Sequence, residues 1–158
     1  MIWCPHVTVA AIIERQGKFL LVEERVDNKL VLNQPAGHLE ENESLLQAVT
    51  RETLEETGWE FEPNALIGVY LWRHPEKGVT YLRFGFTGEL RACNGKPDSE
   101  IERVAWLTEK QIRGELHRLR SPQVLIGIDD YRKGKRYPVS CLHGLSDHIC
   151  ADAPCHEA

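Results

Sequence analysis

The sequence has no long apolar run. Its longest, around Val7–Ile13 and Leu66–Trp72, are strand-sized and fall short of the roughly 18 residues that mark a membrane helix, so no membrane association is expected. The opening MIWCPHVTV lacks a basic region followed by an apolar stretch and a small-residue cleavage site, which argues against a secretory signal. Cysteine is sparse and irregular: Cys4, Cys93, Cys141, Cys150 and Cys155 form an odd set without the spacing of a disulfide framework. The cytoplasm is the expected compartment. Positive charge is also in deficit, with 19 Lys and Arg against 24 Asp and Glu and a net charge of −5. That balance, without a basic stripe interleaved with aromatics, argues against nucleic acid and anionic lipid as partners. An anionic substrate would therefore need local cations to bring it in. GxSxG, Walker A and GxGxxG motifs are all missing, which leaves no serine-nucleophile, P-loop or dinucleotide signature.

What is present suits one α+β domain. A chain of 158 residues has no room for a second core of ordinary size. We assign residues 1–138 to the domain and 139–158 to a tail. Extended segments are predicted at His6–Glu14, Lys18–Arg25, Trp59–Glu62, Ala65–Trp72, Val79–Leu90 and Ile101–Leu107 from their apolar alternation. Helices are predicted at Thr108–Glu115, Ser121–Lys133 and along SLLQAVTRETLEET. In the last of these, Ser44 is a natural N-cap with Gln47 three residues on, and Gly58 sits where a C-cap glycine belongs. The elements predict an α/β/α sandwich around a mixed sheet.

The chemistry concentrates on that first helix. At about 100° per residue, Glu52, Glu55 and Glu56 share one arc beside the apolar stripe of Leu45, Leu46, Val49 and Thr53. Three carboxylates so placed repel, and they stand in the C-terminal half, where the helix dipole disfavours anions. Arg51 relieves part of this through Glu55 at i+4. A solvated acidic face would explain the carboxylates but not the glycine turn before them. Oxygen-only ligands suit Mg²⁺ or Mn²⁺, which keep waters and complete their shell with substrate phosphates.

The segment GHLEENESLLQAVTRETLEETGW resembles the Nudix box, G-x5-E-x7-R-E-U-x-E-E-x-G-U with U bulky and apolar. Gly37, Glu43, Arg51, Glu52, Glu55, Glu56 and Gly58 match at the required spacing, Trp59 serves as the last U, and Thr53 departs from the usual aliphatic residue. The resemblance implies a Nudix fold, with the box as loop–helix–loop, and hydrolysis of a small phosphorylated molecule. It further implies Glu52 and Glu56 as principal Mg²⁺ ligands (Mn²⁺ as a substitute), Glu55 as a further ligand, and the carbonyl of Ala36 completing the site. Arg51 would orient a glutamate, Glu43 would stabilise the box, and Gly37 would permit a tight turn where a side chain would obstruct. Another carboxylate often precedes the last strand in this family; Glu100, six residues before Trp106, is the candidate general base or extra ligand, with Asp98 and Glu102 as rivals. Glu100 or Glu52 would take the proton from the attacking water.

Outside the box, PHVTVA, NQPAGHLE, LRFGF, LRSP and RYP are similar to the bacterial phosphatase NudJ subfamily. That likeness implies stepwise phosphate removal from nucleoside tri- and diphosphates, and action on hydroxymethylpyrimidine pyrophosphate and thiamin pyrophosphate. Arg83 and Arg120 are candidate phosphate contacts, and Trp72 and Tyr81 candidate stacking residues. Alternatives are an ADP-ribose or dinucleoside polyphosphate hydrolase and a non-catalytic Nudix ligand sensor. No obligate protein partner is evident, and a monomer is favoured. In the tail, Cys141, His143, His148, Cys150, Cys155 and His156 match no common zinc-finger spacing.

Overall fold

Alternation along the strands sorts the apolar residues into two layers. Side chains of successive strand residues point to opposite faces. Val9, Ala11 and Ile13, in and after β1 (His6–Ala11), thus face one way and Ile12 the other. Leu20 opposes Phe19 and Leu21 in β3 (Lys18–Val26), and Leu66 opposes Ile67 in β6 (Trp59–Arg73). Both faces are therefore apolar, and each needs a helical cover. Helix α1 (Leu45–Thr57) packs Ala48 and Val49 on the first; α2 (Glu109–Gly114) and α3 (Gln123–Arg132) bring Ile112, Val124 and Ile128 to the second. This is the expected α/β/α sandwich, seen in a computed structural model that describes residues 2–144. None of the described helices is long and apolar enough to cross a membrane.

The strands form two sheets. One runs β5 (Ala36–His38), β1, β7 (Thr80–Cys93), β6 and β9 (Tyr137–Pro138). The other joins β2 (Glu14–Arg15), β3 and β4 (Lys29–Asn33), with β8 (Ile101–Thr108) paired to β3. The β1–β7 pair is parallel and the other strand pairs are antiparallel, so the first sheet is mixed.

Some boundaries differ from the sequence reading. The first extended segment ends at Ala11, and Glu14–Arg15 pairs separately as a short strand. Strand β6 runs unbroken through Pro63, which reads as a break; register shifts beside Pro63 accommodate a residue without an N–H, as bulges commonly do. Strand β7 extends to Cys93, into residues that read as loop. Beyond the expected end of the pattern, Tyr137–Pro138 pairs with Leu66 and Ala65, and Val139 and Leu142 pack on the first core layer.

Helix α1 is bounded as its sequence predicts. The Ser44 hydroxyl accepts from the Gln47 N–H at 3.2 Å, and the Gln47 side chain accepts from the Ser44 N–H at 2.7 Å. Thr53 is fully buried with its hydroxyl donating to the Val49 carbonyl at 2.7 Å, so the departure from an aliphatic residue leaves no unpaired polar group. Gly58 ends the helix at φ 74°. A Cβ there would also meet the Gly95 carbonyl oxygen at 2.5 Å. Gly58→Ala is therefore expected to destabilise the fold by about 2 kcal/mol, measured by urea unfolding; an unchanged midpoint would sink this account of the helix end.

Candidate active site

Helix α1 carries its carboxylates up to an edge strand. The Ala36 N–H donates to Glu56 Oε2 at 2.9 Å, while the Glu52 carboxylate lies against Gly37. A Cβ on Gly37 would fall 2.0 Å from the Glu52 carboxyl carbon. Gly37 lies within β5 and is not among the residues with positive φ, so the expected tight turn is corrected, whereas the expected obstruction by a side chain is seen and is what requires glycine.

Arg51 is the hub that makes this cluster tolerable. Its Nε and Nη2 grip Glu43 at 3.0 and 2.7 Å, and Nη1 reaches Glu52 at 2.8 Å and Glu55 at 3.1 Å. Nη2 also donates to the His38 carbonyl at 3.0 Å, tying the helix to β5. The guanidinium holds the Glu43 carboxyl below its usual range. Burial pushes Glu52 the other way. Burial likewise raises Glu56 to about 8, with Glu24 and Glu52 adding to the effect and the Ala36 N–H and Arg83 opposing it.

Among the described residues, no group of three or more His, Cys, Asp or Glu side chains is already gathered to hold a metal ion. The donors present are instead open and all oxygen. Glu52, Glu55 and Glu56 offer oxygen donors only, the donor chemistry that a hard divalent cation takes. A cation there would also favour the charged form of Glu56, which burial opposes.

On the face of the first sheet covered by α3, the strand register grades from apolar to polar to aromatic. Ile12 is buried under α3; Ala10 lies beside Gly85, Thr8 beside Arg83 and His38, and His6 beside Tyr81. Trp72 pairs across from Tyr81, their rings stacked at 5.9 Å and 21°. Glu24 and Asn33 from the second sheet face this row, with Arg120, Ser121 and Gln123 closing the side. Arg83, Arg120, Trp72 and Tyr81 thus line one cleft of about 180 Å³ that reaches Ala36 and Gly37. Arg83 is 7% exposed; burial first, then Arg120, pull its pKa down to about 10.

Glu100 is placed differently. It is exposed, in the turn before β8. Its loop is pinned to α1 by the Asp98 N–H donating to the Glu55 carbonyl at 2.8 Å. Its rival Glu102 is engaged with Arg25 at 3.1 Å. Sequence reasoning missed Thr8, Glu24, Asn33 and His38, all of which line the cleft. The available signal was weak: Glu23-Glu24 closes an otherwise apolar strand, and His38 directly follows Gly37. Cys141 and His143 are both exposed, whereas His148, Cys150, Cys155 and His156 lie outside the described residues.

A family model for the NUDIX domain matches residues 4–125. Phosphatase NudJ of Escherichia coli K12 is 43% identical over 140 residues, covering 87% of this chain and 90% of that protein. The chain belongs to the Nudix family. It is a Nudix hydrolase, and enzymes of this family typically depend on a divalent metal. A NUDIX hydrolase from Nitrosomonas europaea superposes with a TM-score of 0.87 at 47% identity, covering 89% of this chain and 97% of that one. The NUDIX domain of Shewanella oneidensis NrtR, solved with ADP ribose, shares the fold at a TM-score of 0.68 and 19% identity, covering 84% of this chain and 90% of that one.

Two outcomes follow from the Nudix site geometry. Gly37→Ala must displace Glu52, so activity should fall about 100-fold or more while circular dichroism stays native. The second concerns pH. Folded Glu56 keeps its proton to about pH 8, against an ordinary value of 4.5, so the folded chain binds more protons than the unfolded one within that window. Stability of the metal-free protein should then fall as pH rises from 4.5 through 8. Glu56→Gln should melt higher than the unsubstituted protein at pH 9, and the gain should vanish near pH 4; equal melting at pH 9 would contradict the buried-carboxylate account.

Proposed function

We propose that this Nudix hydrolase is a Mg²⁺-dependent phosphatase that removes phosphate from nucleoside tri- and diphosphates and from thiamin-related pyrophosphates. One observation carries the reading: a single cleft has the Ala36–Gly37 edge at one end, two arginines along it and a stacked aromatic pair at its rim. That sequence of surfaces matches a phosphate chain attached to a flat heterocycle. The 43% identity to a protein named phosphatase NudJ points the same way.

In this reading Glu52 and Glu56, with Glu55 and the Ala36 carbonyl, hold the cation. Bound there, Mg²⁺ would neutralise phosphate charge and activate the attacking water. Arg51 is a positioning residue, keeping Glu43, Glu52 and Glu55 in place from one guanidinium. Arg83 and Arg120 bind phosphate oxygens, offsetting a chain that is otherwise net negative. Trp72 and Tyr81 receive the ring. Glu52, whose burial raises its proton affinity, and Glu100, in the turn before β8, are the candidate proton acceptors.

The test is orthophosphate and pyrophosphate release, with and without Mg²⁺, from nucleotides, thiamin pyrophosphate, hydroxymethylpyrimidine pyrophosphate, ADP-ribose and diadenosine polyphosphates. Metal-dependent orthophosphate from the first three groups is expected, reduced about 100-fold or more in Glu56→Gln. Trp72→Ala should raise KM about tenfold with less effect on kcat. Turnover of ADP-ribose or dinucleotides alone would replace the substrate assignment, and no turnover with any metal would favour a ligand sensor.

A further inference from the structure

We propose that Thr8, Arg83 and Arg120 form an anion cradle for the phosphate that stays on the product, beside the carboxylate edge where phosphate is cut. The proposal rests on the reading of the cleft as a phosphate-chain site and assigns a division of labour within it. Among the described residues, three buried side-chain polar atoms have no hydrogen-bond partner: Thr8 Oγ1, Asn33 Oδ1 and Arg83 Nε. All three residues line this cleft. Orphaned polar atoms are rare in folded proteins, and their collection on one cavity wall marks a place where a ligand supplies the partners.

Charge identifies the ligand. Arg83 is 7% exposed, its nearest hydrogen-bond acceptor is the Gln34 side-chain oxygen at 3.4 Å, and no carboxylate lies within ion-pair distance among the described residues. Buried charges are ordinarily paired, because desolvating one alone is costly. A second guanidinium, Arg120, lines the same cleft and sharpens the demand for an anion. Thr8 stands directly opposite Arg83 on the neighbouring parallel strand, about 4.8 Å away in the sheet, so a hydroxyl and a guanidinium can converge on one oxyanion. Asn33 contributes with its amide turned over, when it offers N–H in place of oxygen.

Glu24 marks the position in the free protein. Its carboxylate sits 3.5 Å from Arg120 Nε, a long contact that a phosphate can replace. In the backbone, Thr8 on β1 lies one interstrand spacing, about 5 Å, and Arg83 on β7 two, about 10 Å, from the edge strand that carries Ala36 and Gly37. The two places are therefore neighbours, spaced for adjacent groups of one phosphate chain. A diphosphate puts one group in the cradle and the other at the edge; a monophosphate rests in the cradle with nothing left to cut. Stepwise hydrolysis then stops at the monophosphate because of where its phosphate is held.

The experiment is titration of inorganic phosphate into the full chain with chelator present, followed by calorimetry and thermal melting. Saturable, metal-independent binding is expected. Thr8→Val should weaken it about tenfold, Thr8→Ser should restore it, and Glu24→Gln should tighten it several-fold. Arg83→Gln should abolish binding; should that variant fail to fold, the Thr8 and Glu24 series decides alone. Absence of binding to the metal-free chain, or a Thr8→Val affinity equal to the unsubstituted protein, overturns the cradle. Mg²⁺-dependent turnover that persists beside such a result leaves the phosphatase reading standing. Phosphate binding without turnover keeps the cradle and removes the activity.

Discussion

The contact between two carboxylates of α1 and the backbone of a three-residue edge strand is the constraint around which the site is arranged. Glu56 takes the Ala36 N–H, and Glu52 occupies the space a side chain at Gly37 would need. Both groups lose water in reaching that position, and burial raises the proton affinity of each. The cluster is held by what surrounds it. Arg51 joins Glu43, Glu52, Glu55 and the His38 carbonyl in one network, so the helix and strand cannot drift apart without breaking several charge-assisted bonds.

The rest of the molecule serves that junction by setting the angle between helix and sheet. Ala48 and Val49 seat α1 on the first core layer, and Thr53 reaches the core without an unpaired hydroxyl because it donates back to Val49. The opposite layer does related work for the cleft. Ile12 packs in the core layer beneath α3, while the same strands run outward into Thr8 and Arg83 and then His6, Tyr81 and Trp72. One sheet face thus changes from core to cation to aromatic over a few residues. Its charge complements the acidic α1, and the two meet at Ala36 and Gly37.

The box residues were legible because they are local. A helix places residues three and four apart on one face whatever else the chain does, so Glu52, Glu55, Glu56 and Arg51 could be grouped from spacing, and the caps at Ser44 and Gly58 bounded the helix. Pro63 misled for the converse reason. Its missing N–H reads as a strand break, yet register shifts in the β6–β7 pair absorb it. Glu24 and Asn33 were invisible to spacing because they reach the cleft from a different sheet than Thr8 and Arg83.

By itself the sequence determined the family, the α/β/α layering and the carboxylate helix, since each depends on periodicity or on a motif contained in one short segment. The tertiary structure alone decided what shares a cavity. It set Arg83 and Arg120 beside an aromatic pair, turned Glu24 toward Arg120, and left Thr8 and Arg83 with buried atoms unpaired. It also showed that the group a side chain at Gly37 would obstruct is the Glu52 carboxylate, in a strand and not in a turn. Those facts depend on strand register and on the meeting of two sheets, and pairings between distant segments carry no spacing that a single sequence can display.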